Sequence, residues 1–372
     1  MKILYTFRSL AVWGGIERVL VEKMNHLASM YGDEVYMLTT DQGEHPIPYQ
    51  VVDGVHLDDL RVQFHRQYRY SGFRKIWDGW QRTRLFEKRF SERLLQLQPD
   101  VIVCSTADPV YSITKLKGRV PLIVESHSIC KRTLGEKRLR QRFIAYLLKK
   151  GLKKTDCLVA LTEGDAEEWR TIHPHVEVIP DMVHLNDSIH SPLVNKRVVW
   201  VGRFDYQKRP MEIIYIWQMI FPQFSEWHLD IYGEGEKKEE IENAASSLDM
   251  NIHIHPPTDR IFDVYRDSSI LVSTSLFEPF GLVIPEAMSC GVPVVAYDCP
   301  FGPSTMISNR VNGFLVEDNN RQEFVIKLSL LMSDLLLRKS LGHAAAQSVQ
   351  QFSAERIMPI WRDLFHSLFP SQ

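Results

Sequence analysis

Short apolar runs alternate with longer amphipathic stretches along the whole of this 372-residue chain. Runs such as ILVST (270–274) and VPVVAY (292–297) suit strands buried on both faces, and the stretches between them carry helical spacing. That alternation is the signature of βα units and parallel sheets. In the first half it predicts strands near 2–6, 34–39, 100–104, 120–125, 157–161 and 175–180. Helices are predicted there near 15–30, 73–97, 137–151 and 163–171. In the second half it predicts strands near 197–202, 227–232, 252–254, 269–274, 293–297 and 313–316, with helices near 209–221, 236–248, 259–266, 282–289, 320–336 and 338–350. Residues 181–197 are polar and aperiodic and carry Pro192, so they break the pattern. The expected organisation is a first α/β domain over 1–181, a linker over 182–196 and a second α/β domain over 197–352. A final amphipathic helix over 353–372 either caps the second domain or crosses back to the first.

Composition changes this picture little. The length suits two domains, and 44% hydrophobic residues are ample for two cores. No run approaches eighteen apolar residues, and MKILYTFRSL reads as a strand start too short and polar for a signal peptide. The five cysteines are scattered, with no C-x-x-C pair. That argues for a reducing cytoplasm and against a zinc site or disulfide frame. His173, His175, His253 and His255 show no metal-ligand spacing and read as surface or packing residues.

Charge adds more. The net −2 hides an asymmetry: residues 1–180 hold 28 Lys/Arg against 22 Asp/Glu. The excess lies in Arg61–Arg93, with ten basic and three acidic residues, and in Lys131–Lys154, with ten basic residues and only Glu136 acidic. Tyr68, Tyr70, Phe73, Trp77 and Trp80 interleave with the first cluster. Such clusters attract anionic membrane surfaces, phosphorylated lipids or nucleic acid, and amphipathic basic stretches of this kind lie on anionic bilayers. The competing readings are a solvated helix face and, for Trp77 and Trp80, packing into the core.

The candidate chemistry sits where strands give way to helices, since open α/β sheets bind ligands at the carboxyl ends of their strands. Between Leu276 and Asp298 the chain reads LFEPFGLVIPEAMSCGVPVVAYD. A strand entering the Pro279-Phe280-Gly281 turn and a helix start at Leu282 makes an anion site, because first-turn N–H groups lack intrahelical partners and the dipole favours negative charge. Glu278 and Glu286 flank this turn. Carboxylates repel phosphate but accept from hydroxyls, and a sugar nucleotide has hydroxyls on both sides of its diphosphate. Glu286 suits a ribose and Glu278 the sugar beyond the phosphates; the competing reading is a pair of helix caps. Upstream, Gly202-Arg203 and Lys208-Arg209-Pro210 form a basic loop, in which Arg203 offers a planar fork and Lys208 a mobile point charge to phosphate oxygens. Gly233 and Gly235 permit close approach of a ligand or make a tight turn. In the first half, Gly14-Gly15 opens a helix beside Glu17-Arg18, and His127 follows Glu125-Ser126 at a strand end, where it can donate to a sugar hydroxyl or bind an acceptor. The full G-x-G-x-x-G dinucleotide fingerprint is missing.

These motifs together resemble the retaining glycosyltransferases of family 4. The match rests on Gly14-Gly15-x-Glu17-Arg18, Glu125-Ser126-His127, Gly202-Arg203 with Lys208-Arg209-Pro210, Gly233-Glu234-Gly235, and Glu278-Pro-Phe-Gly-Leu-x-x-x-Glu286-Ala-Met, in the family's order. The resemblance implies a GT-B architecture of two Rossmann-like doubly wound domains facing a central cleft. It implies transfer of a hexose or N-acetylhexosamine from a nucleotide sugar, UDP-linked, to a saccharide acceptor that is lipid-linked, in surface polysaccharide or glycan assembly. His127 and Glu278 are implied as catalytic residues. Gly15, Arg203, Lys208, Gly281 and Leu282 would hold the diphosphate, Gly233, Gly235 and Glu286 the nucleotide and ribose, and Glu278, Pro279, Phe280 and Gly281 the transferred sugar. No metal or cofactor is expected, because Arg, Lys and a helix N-terminus supply positive charge, and no nucleic acid partner is expected. The protein would be cytoplasmic, able to lie peripherally on the inner face of an anionic membrane. The alternatives are a sugar-nucleotide 2-epimerase on the same scaffold and a non-enzymatic sugar-nucleotide-binding protein.

Overall fold

The computed structural model describes residues 1–105, 109–135, 139–185 and 190–369. The start of the helix expected at 137–151, part of the 182–196 segment and the last residues of the chain lie outside them. Two compact units emerge. One comprises Met1–Met182 together with the C-terminal segment from Ala354, and the other Val183–Ser353.

The first unit holds a seven-stranded sheet of β1 (Lys2–Phe7), β2 (Glu34–Thr39), β3 (Val55–Asp59), β4 (Val101–Cys104), β5 (Leu122–Glu125), β6 (Cys157–Ala160) and β7 (Val176–Val178). All neighbours pair in parallel, in the order β3-β2-β1-β4-β5-β6-β7. The second unit repeats the logic with β8 (Arg197–Val201), β9 (His228–Tyr232), β10 (Ile252–His255), β11 (Ile270–Ser273), β12 (Val294–Tyr297) and β13 (Gly313–Val316), in the order β10-β9-β8-β11-β12-β13. Each sheet reverses its winding once, at β1/β4 and at β8/β11. Each is therefore a doubly wound α/β sheet with a crevice at its switch point.

Period-two alternation explains why both faces are dry. Ile3 and Tyr5 point into a cluster with Leu20, Met24 and Trp361, while Leu4 points to the other face with Phe86 and Phe90. The C-terminal helix, Ala354–Ser367, packs in the first unit through Ile357, Met358, Trp361, Leu364 and Phe365.

The elements read from periodicity are present within a few residues. The strand β3 was not expected: VHLDD is a half-exposed edge with two aspartates, which β-propensity disfavours. Three short helices were also unexpected, Val110–Leu116, Cys130–Leu134 and Gly302–Met306, none long enough to show a helical period. The described part of the segment expected as a linker is strapped to the second unit. Ser191 donates from its backbone to Cys290 O (2.8 Å) and from its hydroxyl to Ser268 O (2.6 Å), Asn195 Nδ2 reaches Asp267 O (3.0 Å), and Leu193 is buried. Its polar, aperiodic sequence serves carbonyls that strands and helices leave open.

Trp77 and Trp80 do not enter the core. On the helix Gly72–Leu97 they are 51% and 50% exposed and stack at 5.3 Å, with Phe73 at 79% and Ile76 at 59% beside them. Among the described residues no helix is long and apolar enough to cross a membrane.

Candidate active site

In the second unit the loops after β8, β9 and β10 stay stitched together beyond the strands. Gly202 N–H donates to Tyr232 O (3.0 Å), Gly233 N–H to His255 O (3.0 Å) and Phe204 N–H to Glu234 O (2.8 Å). A Cβ on Gly233 would lie 1.9 Å from Gly202 O, and one on Gly235 2.6 Å from Phe204 O. Glycine at both positions is demanded by the neighbouring loop's backbone, whatever ligand approaches.

The loop after β8 carries the basic residues. Lys208 is positioned from two sides: its N–H donates to Asp205 Oδ1 (3.0 Å) and its carbonyl accepts from Thr274 Oγ1 (3.0 Å), at the end of β11. Lys208 Nζ pairs with Glu278 Oε1, which also accepts from Ser275 Oγ at 2.6 Å. The two side chains are 14% and 5% exposed. Arg203 is 68% exposed and braced by Asp205 Oδ2 (3.1 Å) and Gln207 Oε1 (3.2 Å), so its charge faces solvent in a preset position. Arg209 turns away: its guanidinium holds Asp318, Asn319 and the Thr274 carbonyl, which makes it a strut.

The Glu278 turn is locked by its backbone. Glu278 N–H donates to Pro300 O (2.7 Å), and Glu278 O accepts from Phe301 and Gly302 (both 2.8 Å). Gly281 sits at φ +96, a conformation that favours glycine. Phe280 is 2% exposed with its ring edge-on to Phe352, so its side chain anchors the turn and faces no ligand. Pro279, Gly281 and Leu282 stay partly exposed. Glu286, on the helix Val283–Ser289, is 2% exposed and accepts from Tyr265 Oη at 3.2 Å.

In the first unit, Gly15 opens the helix Gly15–Tyr31 after an extended Gly14. A cavity at the carboxyl edge of β1, β4 and β5 is bordered by Phe7, Arg8, Glu17, Ser105, Glu125 and His127. Beneath it runs a buried row of alternating charge. Lys23 Nζ pairs with Glu125 Oε1, Ser105 Oγ donates to Glu125 Oε2 (3.2 Å), His127 Nε2 is 3.4 Å from Glu125 Oε2, and His127 Nδ1 is 3.8 Å from Asp181 Oδ1. Neither His127 ring nitrogen has a hydrogen-bond partner among the described residues. Burial alone would lower the His127 pKa, but Glu125, and then Asp181, hold it above the ordinary value. Burial would raise Glu125; Lys23 and then His127 hold it well below the carboxylate range. Burial, reinforced by Glu125, raises Asp181 against the pull of His127. The imidazole is therefore biased toward its charged, doubly donating form.

The sequence reading had singled out His127, Glu278, Lys208 and Arg203. It missed Lys23, Ser105, Asp181 and Ser275. A signal for Lys23 was there: it stands three after Leu20 and four before Leu27 on the helix's apolar stripe. Two groups of ligand-type side chains also converge that spacing along the chain did not show, Glu125-His127-Asp181 and Asp230-His253-His255, because Asp181 and Asp230 lie far in sequence from the histidines they meet. His173, by contrast, is a packing residue, bonded to Thr155 and the His175 carbonyl.

Residues 13–187 match the family model described as Glycosyltransferase Family 4, and residues 187–348 that described as Glycosyl transferases group 1. The chain is 29% identical over 225 residues to an uncharacterized glycosyltransferase of Haemophilus influenzae, covering 58% of this chain and 64% of that protein. It is 31% identical over 172 residues to the amylovoran biosynthesis glycosyltransferase AmsD of Erwinia amylovora, covering 46% and 48%. These matches span about half to two thirds of the relatives' own lengths. The fold matches the crystal structure of Anabaena HepE in complex with UDP-glucose, with a TM-score of 0.77 at 20% identity over 99% of this chain and all of that one.

Proposed function

Because the chain belongs to glycosyltransferase family 4, with the GT-B class of fold, we propose that it transfers a hexose or N-acetylhexosamine, with retention, from a UDP-sugar to a saccharide acceptor in surface polysaccharide assembly. The observation that carries this reading is the buried Lys208–Glu278 pair, beside exposed Arg203, at the switch point of the second sheet. A lysine spent on neutralising a carboxylate is poised for exchange. When a diphosphate arrives, Lys208 Nζ turns to its oxygens alongside Arg203, and Glu278, still held by Ser275, accepts hydroxyls of the transferred sugar. As the glycosidic bond breaks, charge grows on the leaving phosphate, where the two cations stabilise it. That phosphate takes the proton of the attacking acceptor hydroxyl, so no carboxylate nucleophile is needed, in contrast to a retaining glycosidase.

Glu286 serves the ribose hydroxyls in this reading, and the charged His127 donates to a substrate oxygen in the first unit's cavity. Two similar proteins support the substrate class: a relative named for amylovoran biosynthesis and a structural neighbour holding UDP-glucose. The acceptor is lipid-linked in this proposal. Its basis is the exposed Phe73, Ile76, Trp77 and Trp80 beside Arg74, Lys75 and Arg84, on a chain segment rich in arginine. Aromatic side chains with flanking cations suit an anionic bilayer surface.

The test is incubation with UDP-glucose, UDP-galactose, UDP-N-acetylglucosamine and GDP-mannose, read by protection against thermal unfolding and by anomer-resolved product analysis. Protection by UDP-sugars, with turnover retained in excess EDTA, is the expected result. Conversion of the free sugar nucleotide to its 2-epimer, or an inverted product, would refute the reading.

A further inference from the structure

Outside the proposed transfer site, on the edge of the second sheet, we infer that Asp230, His253 and His255 form a binding site for one divalent transition-metal ion of the zinc type. The parallel register sets Asp230 of β9 opposite His253 of β10, and His255, two residues on, projects from the same face. His255 Nε2 lies 2.8 Å and His253 Nδ1 3.4 Å from the same oxygen, Asp230 Oδ1, and the three ligand atoms all fall within 4.8 Å of one another. Donors bound tetrahedrally at about 2.0–2.1 Å stand roughly 3.3 Å apart. The two separations from Asp230 Oδ1, 2.8 and 3.4 Å, bracket that value.

The surroundings hold the donors in place. Arg197 Nε donates to the other carboxylate oxygen, Asp230 Oδ2, at 2.9 Å, which leaves Oδ1 aimed at the two rings. The His255 ring lies on Tyr232, with centroids 4.3 Å apart and planes within 14°; His253 lies on His228 at 5.5 Å and 25°. Asp230 is 1% exposed, whereas the His253 and His255 side chains are 48% and 32% exposed, so the site has a fixed base and an open mouth for the ion and a water. A plain Asp230–His255 hydrogen bond accounts for one contact only. The register brings the second imidazole to the same oxygen, at a distance too long for a good hydrogen bond. Two nitrogens and one oxygen suit the borderline ions, zinc, cobalt and nickel, over magnesium or calcium. The Glu125-His127-Asp181 group does not compete, because both Glu125 oxygens are already bonded, Oε1 to Lys23 and Oε2 to Ser105, whereas Arg197 takes only Oδ2 of Asp230.

The site is tested on the full chain, stripped with EDTA and desalted. Zinc chloride is titrated by calorimetry and cobalt chloride by visible absorption. One zinc per chain and a cobalt d–d band are expected for the wild type. His253→Gln and His255→Gln should each weaken zinc binding at least about tenfold, and the double variant should lose both signals. Both rings are partly exposed, and glutamine keeps a polar partner for Asp230; far-UV circular dichroism checks that the variants fold. His127→Gln should leave the stoichiometry unchanged. Absence of zinc binding by the wild type, unchanged binding by the double variant, or loss of this zinc in His127→Gln would each overturn the inference. None of these readouts depends on sugar transfer, so the two readings fail separately.

Discussion

Lys208 and Glu278 tolerate burial because each neutralises the other. Breaking a buried pair from one side leaves an uncompensated charge, with a loss of about 3–5 kcal/mol. Lys208→Ala should therefore lower stability more than the double variant Lys208→Ala/Glu278→Gln, measured by urea unfolding. It should also weaken UDP affinity at least about tenfold by calorimetry; unchanged affinity would remove Lys208 from the diphosphate site. His127 carries a different signature. Its folded pKa is raised, so the stability it contributes is fully present below the ordinary imidazole value of 6.5 and is lost as pH rises through the higher folded value. Glu125 acts oppositely, its stabilisation disappearing only in strong acid, while Asp181, whose folded pKa is raised, loses stability as pH rises from the ordinary carboxylate value of 3.8 through its folded one. Unfolding free energy should decline as pH rises above about 6.5, and His127→Gln should flatten that decline. Both residues were legible in the sequence because they end apolar runs; their partners Lys23 and Asp181, 158 positions apart in numbering, were not.

Elements place these residues by packing backbones close. The loop after β9 can lie against the loop after β8 only because residue 233 has no side chain. Gly233→Ala drives a Cβ into Gly202 O, a backbone atom that cannot rotate away, and should destabilise by about 1–3 kcal/mol as overpacking does. Its melting temperature and UDP protection should fall together. The helix Gly72–Leu97 shows the opposite situation, an apolar stripe of Phe73, Ile76, Trp77 and Trp80 left half or more exposed. Replacing Trp77 and Trp80 with serine should leave stability within about 0.5 kcal/mol while reducing flotation with anionic vesicles. Equal flotation with neutral and anionic vesicles would reject the membrane proposal. Periodicity identified this helix but could not tell a core stripe from a surface one, because both use the same 3.6-residue spacing.

At the scale of the molecule, the same winding order occurs twice, and each switch point carries one charged cluster. The first unit is not continuous in sequence: its core includes Trp361, 1% exposed, whose ring meets Lys23 Nζ at 4.1 Å. Truncating that side chain with Trp361→Ala should cost about 3–5 kcal/mol. A chain ending at residue 353 should lose the cooperative unfolding of the first unit while the second, Val183–Ser353, retains its own, as limited proteolysis and calorimetry would show.

Alternation of apolar and polar positions determined most strands, most helices and the parallel α/β class, because those depend on local periods that a linear reading detects. The Glu278–Glu286 element and the Gly202–Pro210 loop were legible for the same reason: each is a short stretch at the end of a strand. Tertiary structure alone decided that Lys208 spends its charge on Glu278, that Phe280 anchors its turn, that Lys23 neutralises Glu125, and that Asp181 joins Glu125 in holding His127 toward its charged form. It alone brought Asp230 level with His253 and His255. These are pairings between strands and loops distant in sequence, and a pairing's register is set by how whole sheets bury their faces, which no local spacing records.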